Sequence, residues 1–257
     1  MRIPLFSRLT APSRSHTNPI MNSVSKIFLG SFALFLSATV LSAEKTAPLN
    51  QLSPKEKKAG WKLLFDGKSL AGWRNYRKPT APEEGWVVEN GCLRLEAKSH
   101  AGDIITLEKF LDYDLQWDWK IPANANNGIK YLVIEERGNT PGPEYQMIDD
   151  AVQEPPKNQT ASLYDILPPT KPGLQKPIGE WNHSRILVQG SHVEHWLNGT
   201  RVLEYELGSP ELKAAIAQSK FKAVKDFGEK VKGHILLTDH SDEASFRNLK
   251  ILELPAK

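Results

Sequence analysis

The sequence predicts an all-β protein, a sandwich or jelly roll with one short helix near residues 210–220. Three observations lead to this prediction. Most of the chain after Gly60 consists of short runs in which apolar and polar residues alternate, the pattern of strands with one buried face. Gly, Pro, Asn and Asp separate these runs, and only one segment has the pattern of a helix.

The alternating runs are joined by recognisable turns. Asn90-Gly91 and Asn198-Gly199 each lie between two such runs, which is the strongest local signal of a β-hairpin. In the run 112–121, apolar and polar side chains alternate strictly, so one face is expected in the core. That core face carries Tyr113, Leu115, Trp117 and Trp119.

The single predicted helix begins at Ser209-Pro210-Glu211. Serine is a good helix cap, proline is favoured at the first helical position and an acid is favoured in the first turn. The following residues, LKAAIAQSKF, are compatible with two to three helical turns.

The charge balance gives no reason to expect a nucleic acid as partner. The chain has 33 basic and 30 acidic residues, and residues 1–43 contain four of the basic ones and no acid. The remainder is therefore close to neutral, without the excess of basic residues that nucleic acids or anionic membranes attract.

The N-terminal region has the pattern of a secretory signal. Lys26 precedes an apolar run, residues 27–43, which ends in the small residues Ser42 and Ala43. The run is short for a membrane span and contains Ser and Thr, so a cleaved signal is favoured over an uncleaved anchor, and no stable span is expected after cleavage. We expect a signal region at 1–43, with Met21 as an alternative start, a linker at 44–59 and one domain at 60–257. A periplasmic or secreted location follows.

Residues 137–180 are expected to form long loops, because they contain eight prolines. Within them, residues 144–149 (EYQMID) look like a strand with Tyr145 and Met147 inward and Glu144, Gln146 and Ile148 on the other face. A solvated face and a sugar-binding groove are both compatible with this pattern.

Several familiar catalytic patterns are missing or mismatched. The spacing of His192 and His195 does not suit a zinc helix, and GxSxG and phosphate-loop motifs are absent. A conventional glycosidase needs two carboxylates across the scissile bond, but the stretch beginning at Glu144 reads Glu-x-Gln-x-x-Asp. Its two acids are expected on opposite faces of a regular strand.

The C-terminal stretch 234–254 is unusual. An apolar strand leads into Asp239-His240-Ser241-Asp242, and the chain returns as a second strand, FRNLKILEL. Strict alternation would place Arg247 on the same face as Leu249 and Ile251, so Arg247 is expected to have an acidic partner.

Taken in order, these segments resemble the 3-keto-disaccharide hydrolase family, also described as 3-keto-glucoside 1,2-lyase/3-keto-2-hydroxy-glucal hydratase. The resemblance covers roughly residues 61–254. It is carried by FDGKSLAGW (65–73), GEWN (179–182) and DHSDEASFRN (239–248) in combination. This chain has Thr238 and Ser241 where many members have glutamine and glycine. The resemblance implies a concanavalin A-like jelly-roll sandwich.

The resemblance also implies a hydrolase that acts on a small carbohydrate, a 3-keto-glycoside, by removal of the C2 proton, elimination and hydration. Glu144 is the first candidate for the base and His240 the second. Lys130, Arg247 or a divalent metal are candidates to stabilise the enolate, although no cofactor or metal site is predicted. The predicted sugar contacts are Gln146, Asn127, Trp181, Asn182 and Asp149.

Two alternatives stay open on the same fold. One is a carbohydrate-binding module without activity, and the other is a conventional glucanase. A structural role is the competing interpretation for each candidate residue.

Overall fold

The computed structural model describes residues 48–139, 141–152 and 154–256. The predicted signal region, residues 1–43, and the first part of the predicted linker lie outside the described residues. Within the described part of the chain, no helix is both long and apolar enough to cross a bilayer.

The described residues form thirteen strands and two α-helices. The helices are α1 (Pro54–Ala59) and α2 (Pro210–Ala217). The strands are β1 (Lys62–Leu63), β2 (Trp73–Asn75), β3 (Trp86–Glu89), β4 (Cys92–Leu95), β5 (Ile104–Thr106), β6 (Tyr113–Lys120), β7 (Asn126–Val133), β8 (Glu144–Ile148), β9 (Asn182–Gln189), β10 (His192–Leu197), β11 (Thr200–Glu206), β12 (His234–Leu237) and β13 (Ala244–Glu253).

The strands make two antiparallel sheets that pack face to face. The large sheet has the order β11-β10-β9-β6-β13-β4-β3, with β1 also paired to β13. The small sheet has the order β2-β5-β12-β7-β8. This arrangement confirms the predicted all-β, concanavalin A-like sandwich.

The core lies between the sheets, as the alternation in β6 predicts. Tyr113, Leu115, Trp117 and Trp119 are all fully buried. Trp117 packs edge to face against Tyr145 of the small sheet, with ring centroids 5.0 Å apart, and its indole N–H points at Met147 Sδ. Because Tyr145 and Met147 face inward, Glu144 and Gln146 project from the outer face of the small sheet.

Both Asn-Gly pairs form the predicted hairpins. Asn90-Gly91 joins β3 to β4 and Asn198-Gly199 joins β10 to β11. All four residues have positive φ, which a type I′ turn requires and which Asn and Gly adopt with little strain.

The predicted helix is α2, and its N-terminus is capped by Ser209, whose hydroxyl accepts the Leu212 amide at 3.1 Å. Leu212 and Ile216 are its buried residues. The expected linker contains a second short helix, α1. Ser53 and Glu56 form a reciprocal capping box there, a signal that the sequence also carries.

The predicted face of Arg247 is wrong, because β13 contains a β-bulge. Its register against β6 shifts between Arg247 and Lys250, and Asn248 has a φ of +52°. The extra residue puts Phe246 and Leu249 into the core together, so Arg247 lies on the outer face of the large sheet. Its expected acidic partner is Asp118, at 3.3 Å.

A chain of buried polar groups crosses the core. Ser184 Oγ lies 2.8 Å from both Trp119 Nε1 and Tyr145 OH. Nearby, His195 Nε2 lies 2.8 Å from Tyr131 OH, and Tyr131 also bonds to Tyr205. Burial lowers the pKa of His195 from 6.5 to about 4, although its bond to the Ala161 carbonyl opposes this shift.

We predict that His195 makes the protein acid-sensitive. As the pH decreases, the unfolded state takes up the proton first. The contribution of His195 to the free energy of unfolding should therefore be fully present above pH 6.5 and be lost as the pH falls toward about 4. The His195 contribution is about 3 kcal/mol. Urea denaturation across this range should show a flatter pH dependence for His195→Gln than for the wild type.

The matched control is His100→Gln, which changes an exposed histidine. It should keep the wild-type pH dependence. If His195→Gln and the wild type lost stability in parallel between pH 6.5 and 4, His195 would not be the sensor.

Candidate active site

The candidate site lies on the outer face of the small sheet, where polar side chains from neighbouring strands converge. Lys130 of β7 pairs with Glu144 of β8 and, on its other side, with Leu236 of β12. Two residues earlier along β7, and on the same face, Gly128 pairs with Gln146. Asp103 directly precedes β5, and strand alternation places it on this same face.

Glu144 is the centre of the site. Its side chain is only 5% exposed, and its carboxylate lies between two cationic or protonatable groups. Oε1 is 3.5 Å from His240 Nε2, and Oε2 is 3.9 Å from Lys130 Nζ. Burial alone would raise the pKa of Glu144, but His240 and Lys130 hold that pKa below its usual value.

Gly128 leaves the space that the Glu144 side chain occupies. A Cβ at this position would lie 2.2 Å from Glu144 Oε1 and 2.9 Å from its Cδ. The Glu144 side chain therefore lies flat over the backbone of β7, in space that any other residue would fill. The close approach of Glu144 explains the glycine at position 128. Turn geometry does not, since Gly128 is inside a strand.

The loop 239–242 holds His240 beside Glu144. Asp239 accepts the Ser241 and Gly102 amides, each at 2.8 Å. Asp242 Oδ2 accepts the Asn126 amide at 2.9 Å and so ties the loop to β7. Ser241 has a φ of +67°, in the left-handed region that favours glycine. The His240 side chain is 37% exposed, which makes it the accessible member of the pair.

Asp103 is a member of the cluster that the sequence did not reveal. Its Oδ2 lies 4.0 Å from Lys130 Nζ, and its Oδ1 accepts the Asp239 amide at 2.8 Å. Burial raises the pKa of Asp103, with Lys130 acting in the opposite direction. The only sequence signal is an acid immediately before an apolar strand, which is too common to identify a site.

Gln146 lies beside Glu144 on the same face, as predicted. Its amide donates to Asn126 Oδ1 at 3.1 Å, while its buried Oε1 has no hydrogen-bond partner within the described residues. Of the two interpretations that the sequence left open for this face, a solvated face does not fit, because all five residues of β8 are buried.

Arg247 and Trp181 belong to a different surface. The Arg247 guanidinium stacks on the Trp181 ring at 4.0 Å and pairs with Asp118 of the large sheet. This pair projects from the outer face of the large sheet, whereas Glu144 projects from the outer face of the small sheet. The structure therefore does not bring Arg247 or Trp181 together with the Glu144 cluster.

Three other predicted sugar contacts have structural partners. Asn127 is buried and donates to the Thr238 carbonyl at 2.9 Å, linking β7 to the residue that follows β12. Asn182 Oδ1 accepts the Lys176 amide and the Asn198 side chain, each at 2.9 Å. Asp149 accepts the Asn124 and Ala151 amides at 2.8 and 3.0 Å. These groups shape loops and do not face Glu144.

Within the described residues, one set of side chains has the spacing of a metal site: His192, Glu194 and Glu204. Arg201 Nη1 already lies 3.0 Å from Glu194 and 2.7 Å from Glu204. This cation neutralises the carboxylates, so the set fits a surface ion-pair network better than a metal.

A shallow groove of about 600 Å³ lies at the β2 edge of the small sheet, against Arg74 and Glu135. Glu144, Lys130, His240 and Asp103 are not among the residues that line this groove. Its two central side chains neutralise each other in an ion pair of 2.6 Å. The reactive groups are at Glu144, and we assign the candidate site there.

Fold and site together define a β-sandwich protein with a buried acid–base cluster on one sheet. Residues 60–252 match the family described as the 3-keto-alpha-glucoside-1,2-lyase-like domain. The chain therefore belongs to this family.

Known relatives agree with this membership. A 3-keto-disaccharide hydrolase of Bacteroides thetaiotaomicron is 32% identical over 242 residues, which cover 80% of this chain and 83% of that protein. A crystal structure from Parabacteroides distasonis, described as a glycosyl hydrolase, superposes with a TM-score of 0.73 at 32% identity and covers 80% of this chain and all of that one. A second such structure from the same organism has a TM-score of 0.61 at 28% identity, covering 76% and 99%.

We predict that Gly128→Ala will force Glu144 away from His240, because the new Cβ would lie 2.2 Å from Oε1. The φ of Gly128 is not positive, so the backbone itself should accept alanine. Thermal unfolding should show a loss of stability of about 1–3 kcal/mol from the forced contact.

The control is the same substitution in a Glu144→Ala background, which removes the clashing atoms. There Gly128→Ala should cost much less, giving a coupling energy between the two positions. Equal costs in both backgrounds would contradict the proposed close approach.

Proposed function

We propose that the protein is a carbohydrate hydrolase that cleaves the glycosidic bond of 3-keto-glycosides by elimination and hydration. The observation that carries this proposal is the Glu144–His240 pair with Lys130 beside it, in a chain of the 3-keto-alpha-glucoside-1,2-lyase-like family. The cluster offers one base and one cation, which are the groups this chemistry needs.

The substrate contributes much of the reactivity. A ketone at C3 acidifies the hydrogen on C2, because the electron pair released there delocalises onto the carbonyl oxygen. A base that removes this proton and a cation near the oxygen are then sufficient to expel the group on C1. Addition of water to the resulting double bond completes a net hydrolysis.

His240 is the proton acceptor in this proposal, with Glu144 as the residue that orients it. His240 Nε2 faces Oε1 of Glu144, so a proton on Nε2 leaves the Nδ1 lone pair free for the substrate. The imidazole is the more exposed of the two groups, at 37% against 5% for the carboxylate. Glu144 then stabilises the imidazolium that forms.

Lys130 is suited to stabilise the enolate oxygen. Its ammonium group stands between two carboxylates, 3.9 Å from Glu144 and 4.0 Å from Asp103. Both distances exceed that of a direct hydrogen bond, so the ammonium N–H groups can reach an added oxyanion. Gln146 and Asn126 form a neighbouring pair of amides suited to sugar hydroxyls.

A conventional glycosidase is the second candidate, and one observation favours it. Asp103 Oδ2 and Glu144 Oε2 both lie within 4.0 Å of Lys130 Nζ, so they are no more than about 8 Å apart. This upper limit is compatible with the carboxylate spacing of either a retaining or an inverting glycosidase. Glu144 is, however, enclosed by His240 and Lys130, which leaves it poorly placed to activate water.

We predict that the purified protein releases 3-keto-glucose from a 3-keto-disaccharide and leaves the unoxidised parent disaccharide intact. Turnover of the parent would instead support the conventional glycosidase. Binding of both sugars without turnover would support a carbohydrate-binding module.

His240→Gln and Glu144→Gln should each lower kcat by about 10²–10⁴-fold, the usual effect of losing a general base. Because the two residues act as one unit, the double variant should be little worse than either single variant. Multiplied losses in the double variant would contradict a shared role. His100→Gln, at an exposed position, is the control.

We also propose that the protein acts outside the cytoplasm, in the periplasm or as a secreted enzyme, because residues 26–43 have the basic-then-apolar pattern of a signal. N-terminal sequencing of the protein from a native-type host should give a chain that begins at Glu44 and lies outside the inner membrane. An intact N-terminus in the cytoplasmic fraction would contradict export.

A further inference from the structure

We infer that Asp103 is the proton donor to the departing glycosidic oxygen. This inference rests on the proposed function and adds the group that acts on the leaving side of the reaction. Neither the sequence pattern nor the family membership singles out this residue.

The position of Asp103 is the first argument. It lies on the same outer face as Glu144, with the Lys130 ammonium between them, and the two carboxylates are no more than about 8 Å apart. His240, the base, lies 3.5 Å from Glu144 and close enough to Asp103 to act on its pKa. The sugar atoms C2 and C1 are bonded neighbours. A base near C2 and an acid near the oxygen on C1 must therefore stand a few ångströms apart, with room for one sugar ring between them.

The two oxygens of Asp103 have different surroundings. Oδ1 accepts the Asp239 amide at 2.8 Å, which fixes the plane of the carboxyl group. Oδ2 faces Lys130 Nζ at 4.0 Å, too far for a hydrogen bond. An ammonium group cannot accept a hydrogen bond, so a proton on Oδ2 is not shared with Lys130 and can be donated. The side chain is 23% exposed, so a substrate can reach it.

The charges around Asp103 are compatible with a protonated carboxyl. Burial raises its pKa and the nearby Glu144 carboxylate adds to this, while Lys130, His240 and the Asp239 amide oppose it. Asp239 itself accepts the Ser241 and Gly102 amides, so its negative charge is directed at the backbone.

The step balances without any further reactant. The C2–H electron pair forms the C1–C2 double bond of the product as His240 takes the proton. The C1–O bond breaks, its electron pair stays on the glycosidic oxygen, and that oxygen takes the proton from Asp103. After the aglycone leaves, the Asp103 carboxylate can remove a proton from the water that adds to C1, while His240 returns a proton to C2.

A structural role for Asp103 predicts a different result. If Asp103 only holds the loop of His240 through Asp239, replacement by asparagine should preserve that function, because the amide oxygen can still accept the Asp239 N–H. Any residual loss would then be the same for every substrate. A proton donor, in contrast, matters only when the leaving group needs protonation.

The test compares Asp103→Asn with the wild type on two substrates, a 3-keto-disaccharide and 4-nitrophenyl 3-keto-glucoside. The sugar oxygen of the disaccharide is a poor leaving group unless it is protonated, whereas 4-nitrophenolate leaves without a proton. We expect kcat to fall by about 10²–10³-fold on the disaccharide and by less than about 10-fold on the nitrophenyl substrate. The variant should also lose the alkaline decline of kcat on the disaccharide, since that decline reports deprotonation of the acid.

The control is Asp66→Asn, which changes an exposed carboxylate that also accepts backbone amides, from Lys68 and Ser69. It should leave both activities unchanged. An equal loss on both substrates, or no loss on the disaccharide, would overturn the assignment of Asp103 but not the proposed function. A wild-type protein inactive on both substrates would overturn the proposed function together with this assignment.

Discussion

The structure depends on one costly feature, the burial of the Glu144 carboxylate on the outer face of the small sheet. A buried unpaired carboxylate is strongly unfavourable, so its neighbours must compensate it. They do so from three directions: Lys130 from the paired strand, His240 from the loop after β12, and Gly128 by leaving space for the side chain. His240 and Lys130, which stabilise the buried carboxylate, are also the base and the cation of the proposed reaction. The groups that stabilise the fold here are therefore those that the reaction uses.

Much of the fold could be predicted because it follows from local patterns. Strict alternation identified β6 and its buried aromatic face, and the two Asn-Gly pairs located two hairpins. Ser209-Pro210 located α2. The exception in β13 has a physical reason. A single extra residue at Asn248 reverses the faces of a strand, and alternation counted along the chain cannot detect a bulge.

The site was predicted only in part, because it is assembled across strands that are distant in sequence. Glu144, Gln146, Lys130 and His240 do converge. Arg247 and Trp181 form their own stacked pair on the other sheet, and Asp103 joins the cluster without any motif of its own. Residue type suggested which side chains could act, but only the strand order β5-β12-β7-β8 shows which ones meet.

The central claim is that the bond breaks by removal of the C2 proton, and the most direct test is isotopic. The enzyme should be run on a 3-keto-disaccharide in D₂O and the released 3-keto-glucose trapped by rapid reduction. Its C2 deuterium content is then compared with that of 3-keto-glucose exposed to D₂O for the same time without enzyme. Because the His240 side chain is 37% exposed, the proton that it takes from C2 exchanges with solvent before hydration, so elimination and hydration predict solvent deuterium at C2 above that background. Product with no deuterium at C2 above the background would contradict this account.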